Sequence, residues 1–152
     1  CPACATYNPL VNQLTEEFSK DLKVIYRHFP LVAIHDNALS SAQAAESSGK
    51  QGRFWGMHDI LYEKQQEWEK ESNAKEKFVE YARELGLDEA KFISDYESDE
   101  VKNAINSDSD GAKALGVNST PTFFLNGDRI QPRSYEEFKS LIEAQVKGYT
   151  IE

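Results

Sequence analysis

The first thirty residues, Cys1-Pro2-Ala3-Cys4 followed by ATYNPLVNQLTEEFSKDLKVIYRHFP as far as Pro30, decide the reading of this chain. Both of its cysteines lie here, three positions apart. Behind them Leu10, Val11, Leu14 and Phe18 recur at helical spacing. This predicts a helix from Ala5 to Lys20, with Cys4 at its N-terminal end and Pro9 near its start or kinking it. Lys23 to Phe29 is rich in β-branched and aromatic residues, is closed by Pro30, and reads as a strand. A Cys-x-x-Cys at a helix N terminus has a definite chemical meaning. The first turn presents unpaired N–H groups and the positive end of the helix dipole, which together favour a thiolate. The two-residue spacer lets the second sulfur reach the first, and Pro2 suits a first helical position because its missing N–H costs little there. In this geometry Cys1 is the exposed attacking sulfur and Cys4 the partly buried resolving one. Two blander readings stand beside this one. A static bridge over so short a loop confers little stability. Half a zinc site lacks its second pair, since His28, His35 and His58 fall on unlike predicted elements.

Working outward, the 152 residues fit one domain with a single core, and 39% apolar with 28% charged residues is a soluble globular composition. Seventeen Lys and Arg against 26 Asp and Glu give a formal charge of −9, which argues against nucleic acid or an anionic membrane surface as the main partner. No stretch approaches the ~20 consecutive apolar residues of a spanning helix.

The middle of the chain is helical. Asp36 or Asn37 can cap a helix stopping at Gly49, and Arg53 to Gln66 carries Phe54, Met57, Ile60 and Leu61 as an apolar stripe. Asn73 with Glu76 resembles a capping box for a helix presenting Phe78, Ala82 and Leu85. Asp88 and then Ser98 or Asp99 are caps for two more, the last ending at Gly116. Strand character returns at Thr122 to Leu125, followed by the hairpin signal Asn126-Gly127, a short strand from Asp128 to Gln131, and a terminal helix capped by Ser134 with Glu137. The order is helix, strand, about five helices, hairpin, helix: a sheet with a helical insertion rather than a bundle.

Ser119-Thr120-Pro121-Thr122 precedes an apolar strand, where a proline belongs at the first residue. A cis Thr120-Pro121 bond would turn the chain sharply and leave backbone groups free to pair with an extended peptide; the alternative is a trans proline that only starts the strand. Phe54, Trp55, Met57 and Tyr62 could line a groove, but at helical spacing they read as packing. His58 and Asp59 are sequence neighbours on a helix, hence expected on different faces and structural. The acidic run from Asp88 to Asp110 lacks the pattern of a calcium loop and reads as a solvated surface.

CPAC before a helix, KVIYRHFPL, HDNALSSAQAAESSGKQGRFWGMHDILYEKQ and GVNSTPTFFLNG, taken in order, resemble the DsbA-like branch of the thioredoxin superfamily over essentially the whole chain. The resemblance implies an α/β, thioredoxin-like fold. Residues 1–35 and 113–152 would form the core and 36–112 a helical insertion. It also implies an exported thiol–disulfide oxidoreductase, most often an oxidase, with Cys1 as nucleophile, Cys4 as resolving thiol, Pro121 as a cis proline, and Pro2, Ala3 and Thr120 at the substrate-binding surface. The Cys1–Cys4 pair would be the only redox group, with no added cofactor or metal. Partners would be cysteine-containing substrate proteins and a membrane redox partner for reoxidation, outside the cytoplasm in a periplasm or cell envelope. Two departures matter. The family has a strand running into the cysteine pair, whereas this sequence opens at Cys1, so the expected first strand, and any membrane anchor, would lie in a preceding segment. The residue after Pro2 is Ala3 rather than a histidine, which would make the pair less oxidising and keeps an isomerase or reductase role open. A non-catalytic peptide-binding domain is the alternative from another class.

Overall fold

The computed structural model describes residues 1–148 of the chain. Eight helices and one hairpin are found among them: α1 (Pro2–Glu17), α2 (Ala38–Gly49), α3 (Phe54–Glu63), α4 (Gln65–Trp68), α5 (Ala74–Glu84), α6 (Glu89–Glu97), α7 (Asp99–Ala114), β1 (Phe123–Leu125), β2 (Asp128–Ile130) and α8 (Tyr135–Gly148). The predicted helix 5–20 starts earlier and ends earlier than expected, with Pro2 in its first turn and Pro9 inside it. The last four residues of the expected core, 149–152, lie outside the described residues.

Two apolar clusters organise the chain. Leu14 of α1 packs with Phe138 and Ile142 of α8 over the inner face of the hairpin, Phe123, Leu125 and Ile130. The rings of Phe123 and Phe138 meet edge-on at 4.8 Å, with Tyr7 5.4 Å from Phe123. The second cluster joins the middle helices through Ala44, Met57, Leu61, Trp68, Phe78, Tyr81 and Phe92. There α3 approaches the end of α5 so closely that a Cβ on Gly56 would lie 2.9 Å from Leu85 Cδ2.

The hairpin is antiparallel, with Phe123 opposite Ile130 and Leu125 opposite Asp128. Its turn residues Asn126 and Gly127 have φ of 50° and 94°, the positive values that a two-residue turn of this hand requires and that Asn-Gly tolerates. Asp88 and Ser98 cap α6 and α7 by accepting from Lys91 N–H (2.7 Å) and Val101 N–H (3.2 Å). Ser134 accepts from Glu137 N–H at 3.2 Å, while the Glu137 carboxylate takes the N–H of Arg133. Two expected caps act otherwise. The Asn37 amide nitrogen donates to the carbonyls of Trp68, Glu69 and Glu71, tying the start of α2 to the end of α4, while its Oδ1 accepts from the Ser40 hydroxyl rather than from a helix N–H. Asn73 makes no side-chain cap bond, and its amide donates to the Glu76 carboxylate instead.

The strand expected at Lys23–Phe29 is the principal correction. The segment has the alternation of a strand, with Ile25 64% exposed and His28 only 2%, but no ladder partner among the described residues, whose single sheet is β1 with β2. Side chains of α7 serve its backbone at His28: the N–H donates to Asp108 Oδ2 (3.0 Å) and the carbonyl accepts from Ser109 Oγ (3.4 Å). Propensity and alternation fit an extended chain to a half-buried surface; a strand also needs a neighbour in register.

Candidate active site

The two thiols and the proline loop, 119 residues apart, meet at the N terminus of α1. Neither cysteine is in a disulfide and both are half-buried. Cys1 is the N-cap residue, yet its sulfur makes no cap bond to the helix N–H groups. It is held across the fold by Thr120, whose Oγ1 donates to Cys1 Sγ at 3.3 Å and whose carbonyl accepts from the thiol at 3.8 Å. The Thr120–Pro121 peptide is cis. Pro2 and Ala3 are exposed on the same rim. A groove of about 260 Å³ runs from Ser119, Pro121 and Thr122 to Arg129, Gln131 and Arg133. The structure therefore brings all six expected site residues, Cys1, Pro2, Ala3, Cys4, Thr120 and Pro121, to one place, and replaces the expected helix N–H contact of Cys1 by Thr120.

Cys4 sits one turn deeper. Burial pushes its thiol above the ordinary range, opposed by hydrogen bonding from the Thr120 and Tyr62 hydroxyls. Tyr62, from the C-terminal turn of α3, has its hydroxyl 3.2 Å from that of Tyr26 in the extended segment. Burial raises both phenols above their ordinary value, so each keeps its proton.

A second set of contacts clamps α1 to α3. Asp59 Oδ1 accepts from Asn8 Nδ2 (3.4 Å), Asn12 Nδ2 (3.3 Å) and the His58 ring at Nδ1 (3.0 Å). His58 and Asp59 thus do meet, contrary to the expectation from their adjacency: the Asp59 oxygen that accepts from Asn8 and Asn12 of α1 also reaches the His58 ring. Desolvation lowers the His58 imidazolium pKa in spite of Asp59, favouring the neutral ring. The imidazole lies edge-on to Tyr26 and to Tyr62, both at 4.9 Å. Of the four residues weighed together, Met57 is fully buried packing, Trp55 is 44% exposed, Phe54 packs on Tyr26, and Tyr62 belongs to the thiol site.

The histidines are less scattered than their sequence positions imply: Tyr26 packs against both His28 and His58. His28, Glu46 and Asp108 bring ligand atoms within 4.8 Å of one another, the group among the described residues suited to a metal ion. All three already have partners. Glu46 Oε1 pairs with His28 Nε2 at 2.9 Å, and Asp108 pairs with the Arg27 guanidinium at 3.0 Å and the His28 N–H.

Sequence reasoning missed Asn8, Asn12 and Asp59 as a clamp, and Tyr26 and Tyr62 as neighbours of the thiols. A signal existed for part of this: Asn8 and Asn12 follow Cys4 at successive intervals of four, hence on its face of the helix, as Tyr62 follows His58.

Two cysteines at a helix start, faced by a cis-proline loop and with α3 clamped to their helix, define a thioredoxin-superfamily protein with a DsbA-like fold. Comparison with known proteins agrees. A family model described as thioredoxin matches residues 1–144, and the chain belongs to that family. Among solved structures, a thioredoxin-like oxidoreductase from Silicibacter pomeroyi DSS-3 superposes with a TM-score of 0.77 at 22% identity, covering 99% of this chain and 82% of that one. The thiol-disulfide exchange protein alpha-DsbA2 of Wolbachia pipientis gives 0.80 at 17% identity, covering 95% and 76%. A Pseudomonas aeruginosa DsbA variant gives 0.76 at 22%, covering 97% and 80%.

Similar curated sequences carry a different name. A Na(+)/H(+) antiporter NhaA 1 of Salinispora arenicola is 37% identical over 129 residues, which is 85% of this chain and 19% of that protein. Its namesake in Mycolicibacterium gilvum is 34% identical over 150 residues, 97% of this chain and 23% of that protein. The chain spans about a fifth to a quarter of the length of these relatives. No helix among the described residues is long and apolar enough to cross a membrane.

Proposed function

We propose that this chain exchanges disulfides with the cysteines of other proteins through Cys1 and Cys4, working chiefly as an oxidase. The observation that carries this reading is Cys1 Sγ held at the start of α1 by Thr120, with Cys4 one turn behind and the backbone of the proline loop alongside. In the oxidised form a substrate thiolate attacks Cys1 Sγ. The Cys1–Cys4 bond breaks, its electron pair leaves on Cys4, and a mixed disulfide joins substrate to Cys1. A second substrate thiolate then attacks the substrate sulfur and expels Cys1 as a thiolate, which the Thr120 hydroxyl and the helix dipole stabilise. The substrate ends as a disulfide and the enzyme as a dithiol.

The rim of Pro2 and Ala3, together with Thr120, Pro121 and the groove beside them, receives the polypeptide around the substrate cysteine. Cysteine-containing proteins are the substrates, the redox pair needs no further cofactor, and a membrane redox partner reoxidises it. Such chemistry is useful where disulfides persist, so the site of action is outside the cytoplasm. The antiporter name of the curated relatives belongs to much longer proteins, of which this chain matches about a fifth to a quarter.

Ala3 supports a second reading in the same chemistry. Its methyl group has no proton to donate to a thiolate, which leaves the pair less oxidising and favours the reductase or isomerase direction. Refolding of a reduced, disulfide-requiring protein by the oxidised form, run beside insulin reduction by the reduced form, separates the two. An oxidase accelerates refolding, and Cys1→Ser abolishes the effect. Equal refolding by the Cys1→Ser variant eliminates both readings in favour of a peptide-binding domain.

A further inference from the structure

Resting on the exchange reading, we infer that Arg129 and Arg133 set the substrate preference of the site, selecting polypeptides with Asp or Glu beside the reacting cysteine. The groove of about 260 Å³ begins at Ser119 and Pro121, which flank the residue bonded to Cys1 Sγ, and its charged lining is those two arginines, with no Asp or Glu. In a chain of 26 acids and 17 bases, a groove with two cations and no acid runs against the average surface. Both side chains are exposed, and neither guanidinium has an ion-pair partner among the described residues, whereas Arg27 and Arg83 are engaged by Asp108 and Glu89. The acids closest in sequence act elsewhere. Alternation along β2 sets Asp128 on the opposite face from Arg129. The Glu137 carboxylate accepts from the backbone N–H of Arg133 at 2.7 Å and serves the start of α8. Glu136 lines a second groove, of about 560 Å³, which shares Ile130, Gln131 and Pro132 with the first.

A planar guanidinium meets a carboxylate with two parallel N–H···O bonds, a match that a neutral or basic side chain cannot offer. The formal charge of −9 opposes an acidic partner at long range. At physiological ionic strength, however, the Debye length is ~8 Å, so the charges lining the contact decide. An acidic segment therefore finds opposite charge in this groove and net like charge over the molecule as a whole, which seats it beside the proline loop with its cysteine facing Cys1. The exchange itself is unaltered: two substrate thiols give up two electrons and two protons as they close a disulfide, and the Cys1–Cys4 bridge takes them up as a dithiol. The arginines bind the residues flanking the reacting cysteine and transfer no proton.

The test mixes the oxidised protein with short synthetic peptides that carry two cysteines, one of them flanked on both sides by Glu, by Gln or by Lys. Acid quenching and mass spectrometry follow the peptide disulfide. Each rate is divided by that of the same peptide with the neutral disulfide of mercaptoethanol, which removes the effect of the flanks on the thiol itself. At ~0.15 M salt the Glu peptide is oxidised about three to ten times faster than the Lys peptide, the size expected for two exposed ion pairs. The ratio falls toward one at ~1 M salt, where the Debye length is ~3 Å. Arg129→Gln with Arg133→Gln removes the preference, and Arg129→Glu with Arg133→Glu inverts it. The salt series on the wild type tests the same charges without any substitution. Equal corrected rates for the Glu and Lys peptides in the wild type overturn the inference, as does a preference that persists at high salt or in the folded double Gln variant. If no peptide is oxidised at all, the exchange reading fails and takes this one with it.

Discussion

Thr120 is the residue at which the site can be tested most directly, because a near-isosteric change removes one atom's chemistry. Thr120→Val replaces the hydroxyl that donates to Cys1 Sγ at 3.3 Å by a methyl group and leaves the carbonyl that faces the same sulfur in place. Hydrogen bonds to charged groups contribute ~1.5–3 kcal/mol. Sulfur is a diffuse acceptor and the site is only half-buried, so the low end applies. About 1.4 kcal/mol is a tenfold change, or one pH unit in the midpoint of Cys1 thiolate formation. Because the reduced state loses that stabilisation, the potential of the pair falls by roughly 30 mV at pH values where Cys1 is ionised. Iodoacetamide alkylation against pH measures the first quantity, and equilibration with glutathione redox buffers measures the second. Thr120→Ser, which restores a hydroxyl, returns both toward wild type. An unchanged alkylation midpoint in Thr120→Val, with unchanged folding, refutes the assignment of this hydroxyl to the nucleophile.

Other consequences are open to routine measurement. Asp59→Ala strips three donors of their acceptor, and urea denaturation is expected to show a loss of about 1–3 kcal/mol, with faster amide exchange in α1. His58 has its imidazolium pKa lowered by burial from the ordinary 6.5, so the unfolded chain binds the extra proton more readily and stability falls as the pH drops through and below that value. His58→Gln should flatten this dependence in denaturation midpoints taken between neutral and mildly acidic pH. Phe138→Ala empties the junction of α1, α8 and the hairpin, for an expected loss of ~3–5 kcal/mol in calorimetry. Gly56→Ala, by contrast, meets only the movable tip of Leu85 and should cost no more than about 1–3 kcal/mol.

Much of the architecture could be read from the residues because its signals are local. Asn126-Gly127 forces a tight hairpin, Asp88 and Ser98 accept from the N–H groups three positions on, and Cys1 to Cys4 with Thr120-Pro121 mark the two halves of the site. What stayed hidden depends on partners distant in sequence. Lys23–Phe29 has strand-like residues, but pairing is a property of the neighbour as well. Asn37 and Asn73 look like caps, yet their side chains bond to other groups, the carbonyls at the end of α4 and the Glu76 carboxylate, and accept from no helix N–H. The bond between His58 and Asp59 escaped a rule that treats helical neighbours as strangers, since short side chains can converge when a third group, here the pair of asparagines on α1, draws the carboxylate over.

The carboxylate of Asp59 has a practical implication for protein engineering. It is the lock into which two amides of α1 fit, and it is carried by α3, some fifty residues further along the chain. A variant that replaces α3 by a foreign helix without a matching acceptor would leave Asn8 and Asn12 with nothing to grip, and the thiols would ride on a loosened rod. Transplants should therefore move Asn8, Asn12 and Asp59 as one unit.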